Sequence, residues 1–208
     1  YFPMIEPILK ENGIPDDFKY LVPVESNFTN ATSPSGAKGF WQFMAPTAKE
    51  LGLRINDKVD ERYNVELATK AACVFINDLY RRFGNWTLTA AAYNGGAGRI
   101  SKELKAQKVS NFYDLYLNAE TSKYVFRILA IKEVMSDPES FGYDIEQVNM
   151  YKPIQVSKRL TIDTSITSLT NFAISNGTTY KMLRYMNPWI TDRDLPVAAG
   201  KSYEILIP

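Results

Sequence analysis

Glu25 stands in the run Pro23-Val24-Glu25-Ser26-Asn27-Phe28, an ionisable carboxyl among apolar neighbours just ahead of a loop rich in Ser and Gly. An apolar setting destabilises the charged form of a carboxylate, so its pKa rises and a proton stays available near neutral pH. A general acid needs that proton to protonate the leaving oxygen of a glycosidic bond while oxocarbenium-like charge develops on the sugar. Glu is also a common surface residue, and an ordinary exposed helix-end glutamate is the competing reading of Glu25 taken alone.

Three later segments change that balance: Gly36-Ala37-Lys38-Gly39-Phe40-Trp41-Gln42-Phe43-Met44, Ala90-Ala91-Ala92-Tyr93-Asn94-Gly95-Gly96, and Glu120-Thr121-Ser122-Lys123-Tyr124-Val125. Their order and spacing after Glu25-Ser26 resemble the four signature motifs of lytic transglycosylases with the goose-type lysozyme fold, in particular the membrane-bound D type. The resemblance runs from about Pro15 to about Tyr143. It departs from the family at Leu117-Asn118-Ala119, where a Leu-Pro is expected, and at Phe126-Arg127, which replaces a Pro-Lys.

The resemblance implies peptidoglycan glycan strands as the partner and cleavage between N-acetylmuramic acid and N-acetylglucosamine. Many glycosidases hold a second carboxylate about 5 to 10 Å from the acid, yet the motif segments contain no Asp placed for that role. The family accounts for the gap. One Glu, here Glu25, acts as acid and then as base, the substrate's N-acetyl group assists, and its 6-hydroxyl closes a 1,6-anhydro ring. The alternatives are a hydrolytic goose-type lysozyme and a non-catalytic cell-wall glycan-binding protein; intact Glu25, Tyr93 and Asn94 argue against the latter.

Around Glu25, the expected substrate-binding residues are Ser26, Gln42, Phe43, Met44, Tyr93, Asn94, Glu120 and Tyr124. Ser26 either meets the acetamido group or is a polar helix-end residue. Gln42, an amide between Trp41 and Phe43, either satisfies buried backbone or reaches a ligand, and the resemblance favours ligand. Phe43 and Met44 are apolar walls for sugar faces, or plain core. By resemblance, Tyr93 hydrogen-bonds the acid and Asn94 binds acetamide or hydroxyl groups, while Gly95-Gly96 lets the backbone turn sharply. Glu120 and Tyr124, four apart, share a helix side. Glu120 is read as orienting Tyr124 and substrate, with a structural ion pair or a second acid as alternatives.

Composition narrows the classes. The 208 residues carry 24 basic and 23 acidic side chains, net +1, so nothing draws the whole chain to nucleic acid. With no His and one cysteine, Cys73, a Ser-His-Asp or Cys-His centre and a His- or multi-Cys zinc site are excluded, and no metal or cofactor is expected. Cys73 among Ala71, Ala72, Phe75 and Ile76 reads as a buried structural thiol. No apolar run approaches the roughly 18 residues of a membrane span. The chain opens at Tyr1 without a Met, which reads as a trimmed fragment whose targeting sequence is gone. The resemblance implies the periplasm or cell envelope, with outer-membrane anchoring through the missing N-terminus as an option. Oligomeric state is not legible.

The elements that must position these groups are mainly α-helical. Val65, Ala68, Ala72, Phe75, Leu79 and Phe83 recur at steps of three and four between a start near Asp60 or Asn64 and a stop at Gly84. A second long helix is expected from Glu120 to Ser136, with Tyr124, Ile128, Ile131 and Met135 on one face. Shorter ones are expected over Phe2 to Lys10, Pro15 to Glu25, Pro46 to Leu51 and Thr87 to Tyr93, with Pro23 kinking the chain just before Glu25. After about Glu146 the pattern becomes strand (159–163), helix (166–174), helix (180–186), strand (203–207). That order, with Asn187 and Gly200, resembles a LysM module, which binds N-acetylglucosamine-containing glycans, although Asp163-Thr164-Ser165 stands where Gly-Asp-Thr is expected. The expected organisation is a lysozyme-like α-helical catalytic domain, 1–146, followed by a small βααβ LysM-like domain, 147–208, that either binds glycan or serves as a packing element.

Overall fold

The computed structural model describes residues 1–146, 148 and 150–208; Gln147, on which the expected domain boundary falls, lies outside the described residues. The element order is α1 (Phe2–Glu11), α2 (Leu21–Ser26), α3 (Ala45–Glu50), α4 (Val65–Phe83), α5 (Trp86–Gly95), α6 (Ala97–Gln107), α7 (Ala119–Ser136), β1 (Lys158–Ile162), α8 (Leu169–Ser175), α9 (Tyr180–Met186) and β2 (Tyr203–Ile207), with short 3-10 turns at Asp16–Tyr20, Glu61–Tyr63 and Glu139–Phe141. The mainly helical expectation and the terminal βααβ order are met. The chain forms two compact units, Phe2–Phe28 with Thr69–Tyr151, and Tyr1 with Thr29–Ala68 and Lys152–Pro208.

In the first unit α5 and α7 begin at capping asparagines. Asn85 caps α5 by accepting from the Leu88 amide at 3.1 Å, and Asn118 caps α7 by accepting from the Thr121 amide at 3.2 Å. Asn118 thus supplies the start that the family's proline would otherwise mark. Ala71, Ala72, Cys73, Ile76 and Leu79 of α4 are buried, as are Thr121, Tyr124, Val125 and Ile128 of α7. Burial of the Cys73 thiol pushes its pKa up to about 12, which fits a packing role.

Residues Pro15 to Glu25 do not form one helix. A 3-10 turn occupies Asp16–Tyr20 and α2 starts afresh at Leu21, so Pro23 lies in the first turn of α2, where a missing N–H is tolerated, and no mid-helix kink is required. Helix α6 escaped the sequence reading because its core face is narrow: Ile100 is its only buried residue. Its C-terminus carries Lys108 in the left-handed region, φ 56°.

In the second unit β1 pairs antiparallel with β2, Lys158 opposite Ile207 and Ile162 opposite Tyr203. Tyr203, Ile205 and Ile207 turn inward with Leu169, Ala173, Leu183, Trp189, Ile190 and Leu195 to form a core. Val59, a residue of the Thr29–Ala68 segment, is fully buried in that same core. Asn187 is buried and fully used: its amide nitrogen donates to the Leu183 and Leu206 carbonyls at 2.9 and 2.7 Å, and its oxygen accepts from the Leu206 amide at 2.8 Å. That side chain ties the end of α9 to β2 at a position where an apolar residue would leave backbone groups unpaired.

Candidate active site

Glu25 sits in the last turn of the six-residue α2, whose Leu21 and Val22 are buried and fix the helix against the core. The helix ends abruptly because Asn27 and Phe28 both take positive φ, 50° and 55°. For Phe this is a strained conformation that needs support from elsewhere. The support is aromatic: Phe28 packs edge-on against Phe2 at 5.3 Å, and Phe2 against Tyr20 at 5.6 Å. The Ser26 hydroxyl donates to the Val22 carbonyl at 3.1 Å, a bond within its own helix.

The Glu25 carboxyl is mostly withdrawn from solvent, and no Lys or Arg pairs with it among the described residues. Tyr124, 1% exposed on α7, donates its phenol to Glu25 Oε1 at 2.5 Å. Burial raises the Glu25 pKa; the Tyr124 hydrogen bond works against that by stabilising the anion, and the nearby negative charge of Glu120 raises the pKa further. The phenols respond in turn: burial, then the Glu25 charge, raises the pKa of both Tyr93 and Tyr124 well above the usual tyrosine value, so both stay protonated donors. The resemblance pointed to Tyr93 for a hydrogen bond to the acid, and Tyr124 supplies one. Tyr93 lies near enough to Glu25 to feel its charge, with its ring held edge-on against Phe75 at 5.5 Å.

Asn94 follows on α5, and its side chain is held at both ends by α7. Its nitrogen donates to Glu120 Oε1 at 3.2 Å and its oxygen accepts from the Thr121 hydroxyl at 2.9 Å. The approach depends on Gly95: a Cβ there would lie 2.8 Å from the Thr121 methyl carbon, closer than real contacts allow. Thr121 was missed by the sequence reading, although the Asn118 cap that places it in the first turn of α7 was a visible signal. Glu120 is exposed and is not buried as an ion pair; its carboxylate holds Asn94.

Gln42, Phe43 and Met44 belong to the second unit. Gln42 has φ 50°, and its amide nitrogen donates to the Gly39 and Ala31 carbonyls at 2.8 and 3.2 Å. Its nitrogen therefore satisfies backbone. Phe43 is 4% exposed and Met44 41% exposed, so of the two only Met44 presents surface.

Comparison with known proteins decides the family. The sequence matches the family described as "Transglycosylase SLT domain" over residues 2–115, more than half the chain, and "Soluble lytic transglycosylase C-terminal LysM-like domain" over residues 158–208. The chain belongs to the SLT transglycosylase family and carries a LysM-like C-terminal domain. It is 32% identical over 165 residues to the membrane-bound lytic murein transglycosylase D of Escherichia coli K12, covering 72% of this chain and 36% of that protein. To the peptidoglycan transglycosylase gp16 of Escherichia phage T7 it is 36% identical over 138 residues, 63% of this chain and 10% of that protein. The chain thus spans about a third or less of the length of these curated relatives. Among solved structures, it is similar in fold to an inactive variant of the lytic transglycosylase Slt from Pseudomonas aeruginosa, with a TM-score of 0.54 and 20% identity, covering 73% of this chain and 26% of that one. The 70 kDa soluble lytic transglycosylase of E. coli gives a TM-score of 0.53 and 24% identity, over 62% of this chain and 23% of that one.

Among the described residues no group of three His, Cys, Asp or Glu side chains could hold a metal ion, and no helix is long and apolar enough to cross a membrane.

Proposed function

We propose that the chain is a peptidoglycan lytic transglycosylase of the cell envelope in which Glu25 is the single acid and base. The observation that carries this reading is a carboxyl withdrawn from water with its pKa raised, no cation partner among the described residues, and a buried phenol donating to it. In the first step protonated Glu25 gives its proton to the glycosidic oxygen leaving with N-acetylglucosamine, while the substrate's N-acetyl group supports the charge at C1 of N-acetylmuramic acid. The Tyr124 bond then stabilises the newly formed carboxylate. In the second step Glu25 takes the proton of the 6-hydroxyl as that oxygen bonds to C1. One glycosidic bond breaks, one anhydro bond forms, Glu25 regains its proton, and water is not consumed.

Asn94, held by Glu120 and Thr121, is pre-set to meet acetamide or hydroxyl groups with the remaining capacity of its amide. Ser26, Gln42, Met44 and Tyr93 take substrate-contacting roles by their place in the family motifs, buried Phe43 takes a packing role, and Glu120 and Tyr124 are orienting groups. The two-domain organisation, 1–146 catalytic and 147–208 LysM-like, is part of the proposal.

A hydrolytic reading has one observation in its favour: Glu120 is close enough for its charge to raise the Glu25 pKa, so it is a candidate base for water. Digestion of purified peptidoglycan by wild type and Glu25→Gln in parallel tests the main reading. Release of soluble fragments by the wild type and its loss in the variant is expected; release by both removes Glu25 as the acid.

A further inference from the structure

Arg62 is 4% exposed, and all three of its guanidinium nitrogens have partners. Its Nε and Nη2 donate to the two oxygens of Asp60, itself 4% exposed, at 2.9 and 2.7 Å. Its Nη1 donates to the carbonyls of Phe43 and Gly36, at 3.1 and 3.2 Å, which lie at either end of the loop carrying Gln42. Gly39, in the middle of that loop, has φ 75°, and a Cβ there would lie 2.0 Å from the Arg62 carbonyl oxygen. The loop is therefore shaped around Arg62 and its backbone.

The same turn is fastened to the C-terminal module. The Asp60 amide donates to the Trp189 carbonyl at 2.8 Å, the Thr191 amide to the Lys58 carbonyl at 2.9 Å, and Val59 fills the module's core. Arg54 lies over the Tyr203 ring at 3.7 Å and donates to the Ser202 carbonyl at 2.8 Å, while its Nη2 lies 2.7 Å from the Glu61 carboxylate. Asp60 is thus the junction: its backbone is bonded to the module and its side chain to the arginine that holds the loop. A buried Arg–Asp pair is a weak source of stability against a well-packed apolar pair of the same size. What an apolar pair could not do is hold two backbone carbonyls in a fixed place.

We propose that Asp60 and Arg62 are positioning residues through which the LysM-like module braces the Gly36–Met44 loop, so that the module serves glycan recognition by holding that loop. This rests on the reading above, which gives the loop to glycan contact. It assigns the module a mechanical role where its family likeness alone suggests a separate glycan tether.

The test is a kinetic split joined to hydrogen exchange, on the full chain. Arg62→Lys keeps the charge beside Asp60 but loses the fork to the carbonyls. It is expected to raise KM for soluble glycan strands about tenfold with kcat within about threefold, and to speed exchange of the Lys38 and Gln42 amides. Arg54→Ala, at a half-exposed side chain, loosens the module from the turn and is expected to give the same pattern at about threefold; it carries the test if Arg62→Lys does not fold. A fall in kcat with KM unchanged, the mark of a smaller folded fraction, overturns the proposal, as does unchanged kinetics. If the wild type turns over no glycan, the functional reading fails by itself, and the exchange measurement still decides whether the loop is braced: unaccelerated Lys38 and Gln42 amides in both variants overturn the brace.

Discussion

Asp60 and Glu61 in one unit and Glu25 in the other are carboxyls largely withdrawn from water, yet their surroundings are opposite. Asp60 is matched bidentately by Arg62, and Glu61 takes the Arg54 backbone amide and its guanidinium, all at 2.7 to 2.9 Å. Glu25 meets a phenol, a second phenol close by and the charge of another carboxylate. A carboxylate matched by a guanidinium fixes backbone; one set among phenols and beside another carboxylate has its charged form disfavoured. Burial of an acid therefore says little until its partners are known, and the partners separate a structural acid from a reactive one.

The sharpest way to break this contrast is to neutralise each kind of acid in turn. Glu25→Gln removes the proton donor with little change of shape, and turnover of peptidoglycan should fall by on the order of 10²- to 10⁴-fold in a folded protein, checked by soluble-product release and circular dichroism. Asp60→Ala should do the reverse kind of damage: an uncompensated Arg62 costs about 3–5 kcal/mol of stability, read by denaturant unfolding.

A smaller effect reads the environment of Glu25 by pH. Burial lifts the folded-state pKa of Glu25 above its ordinary 4.5, so the folded chain binds that proton more tightly than the unfolded chain. Its contribution is complete below the unfolded pKa and is lost as pH rises through the folded one. Glutamine cannot ionise, so Glu25→Gln should melt higher than wild type at pH 7, with the gain shrinking towards zero below about pH 4. An equal melting temperature at both pH values would remove the strain on the ionised acid.

The finest effects lie in the tuning groups. Tyr124→Phe deletes the bond that favours the anion, so the Glu25 pKa rises and the alkaline limb of the kcat profile moves to higher pH. Glu120→Gln keeps an oxygen for Asn94 but removes the neighbouring charge, so that limb moves to lower pH. Shifts in the same direction for both variants would contradict the assigned electrostatics.

Helices α4 and α7 and the terminal βααβ order were legible because apolar spacing and Asn or Gly stops act within a few residues of each other. Helix α6 was not, since Gly95, Gly96 and Gly98 surround its start and a single buried residue, Ile100, gives no periodicity. Glu25 stood out through its apolar neighbours, and Glu120 with Tyr124 through their four-residue spacing. The bond from Tyr124 to Glu25 joins positions 99 residues apart, and no local pattern encodes it. The same holds for the buried Asp60-Glu61-Arg62 run, whose Asp60 amide donates to the Trp189 carbonyl, a partner that no local pattern encodes.

Mass spectrometry of the muropeptides released from purified peptidoglycan tests the central claim most directly, because the fate of the 6-hydroxyl is written in the product. One acid acting alone, with water excluded from the bond change, gives 1,6-anhydro-N-acetylmuramic acid ends one water lighter than hydrolysed ends. A predominance of reducing, water-added ends would contradict the account and make Glu120 the base of a hydrolase.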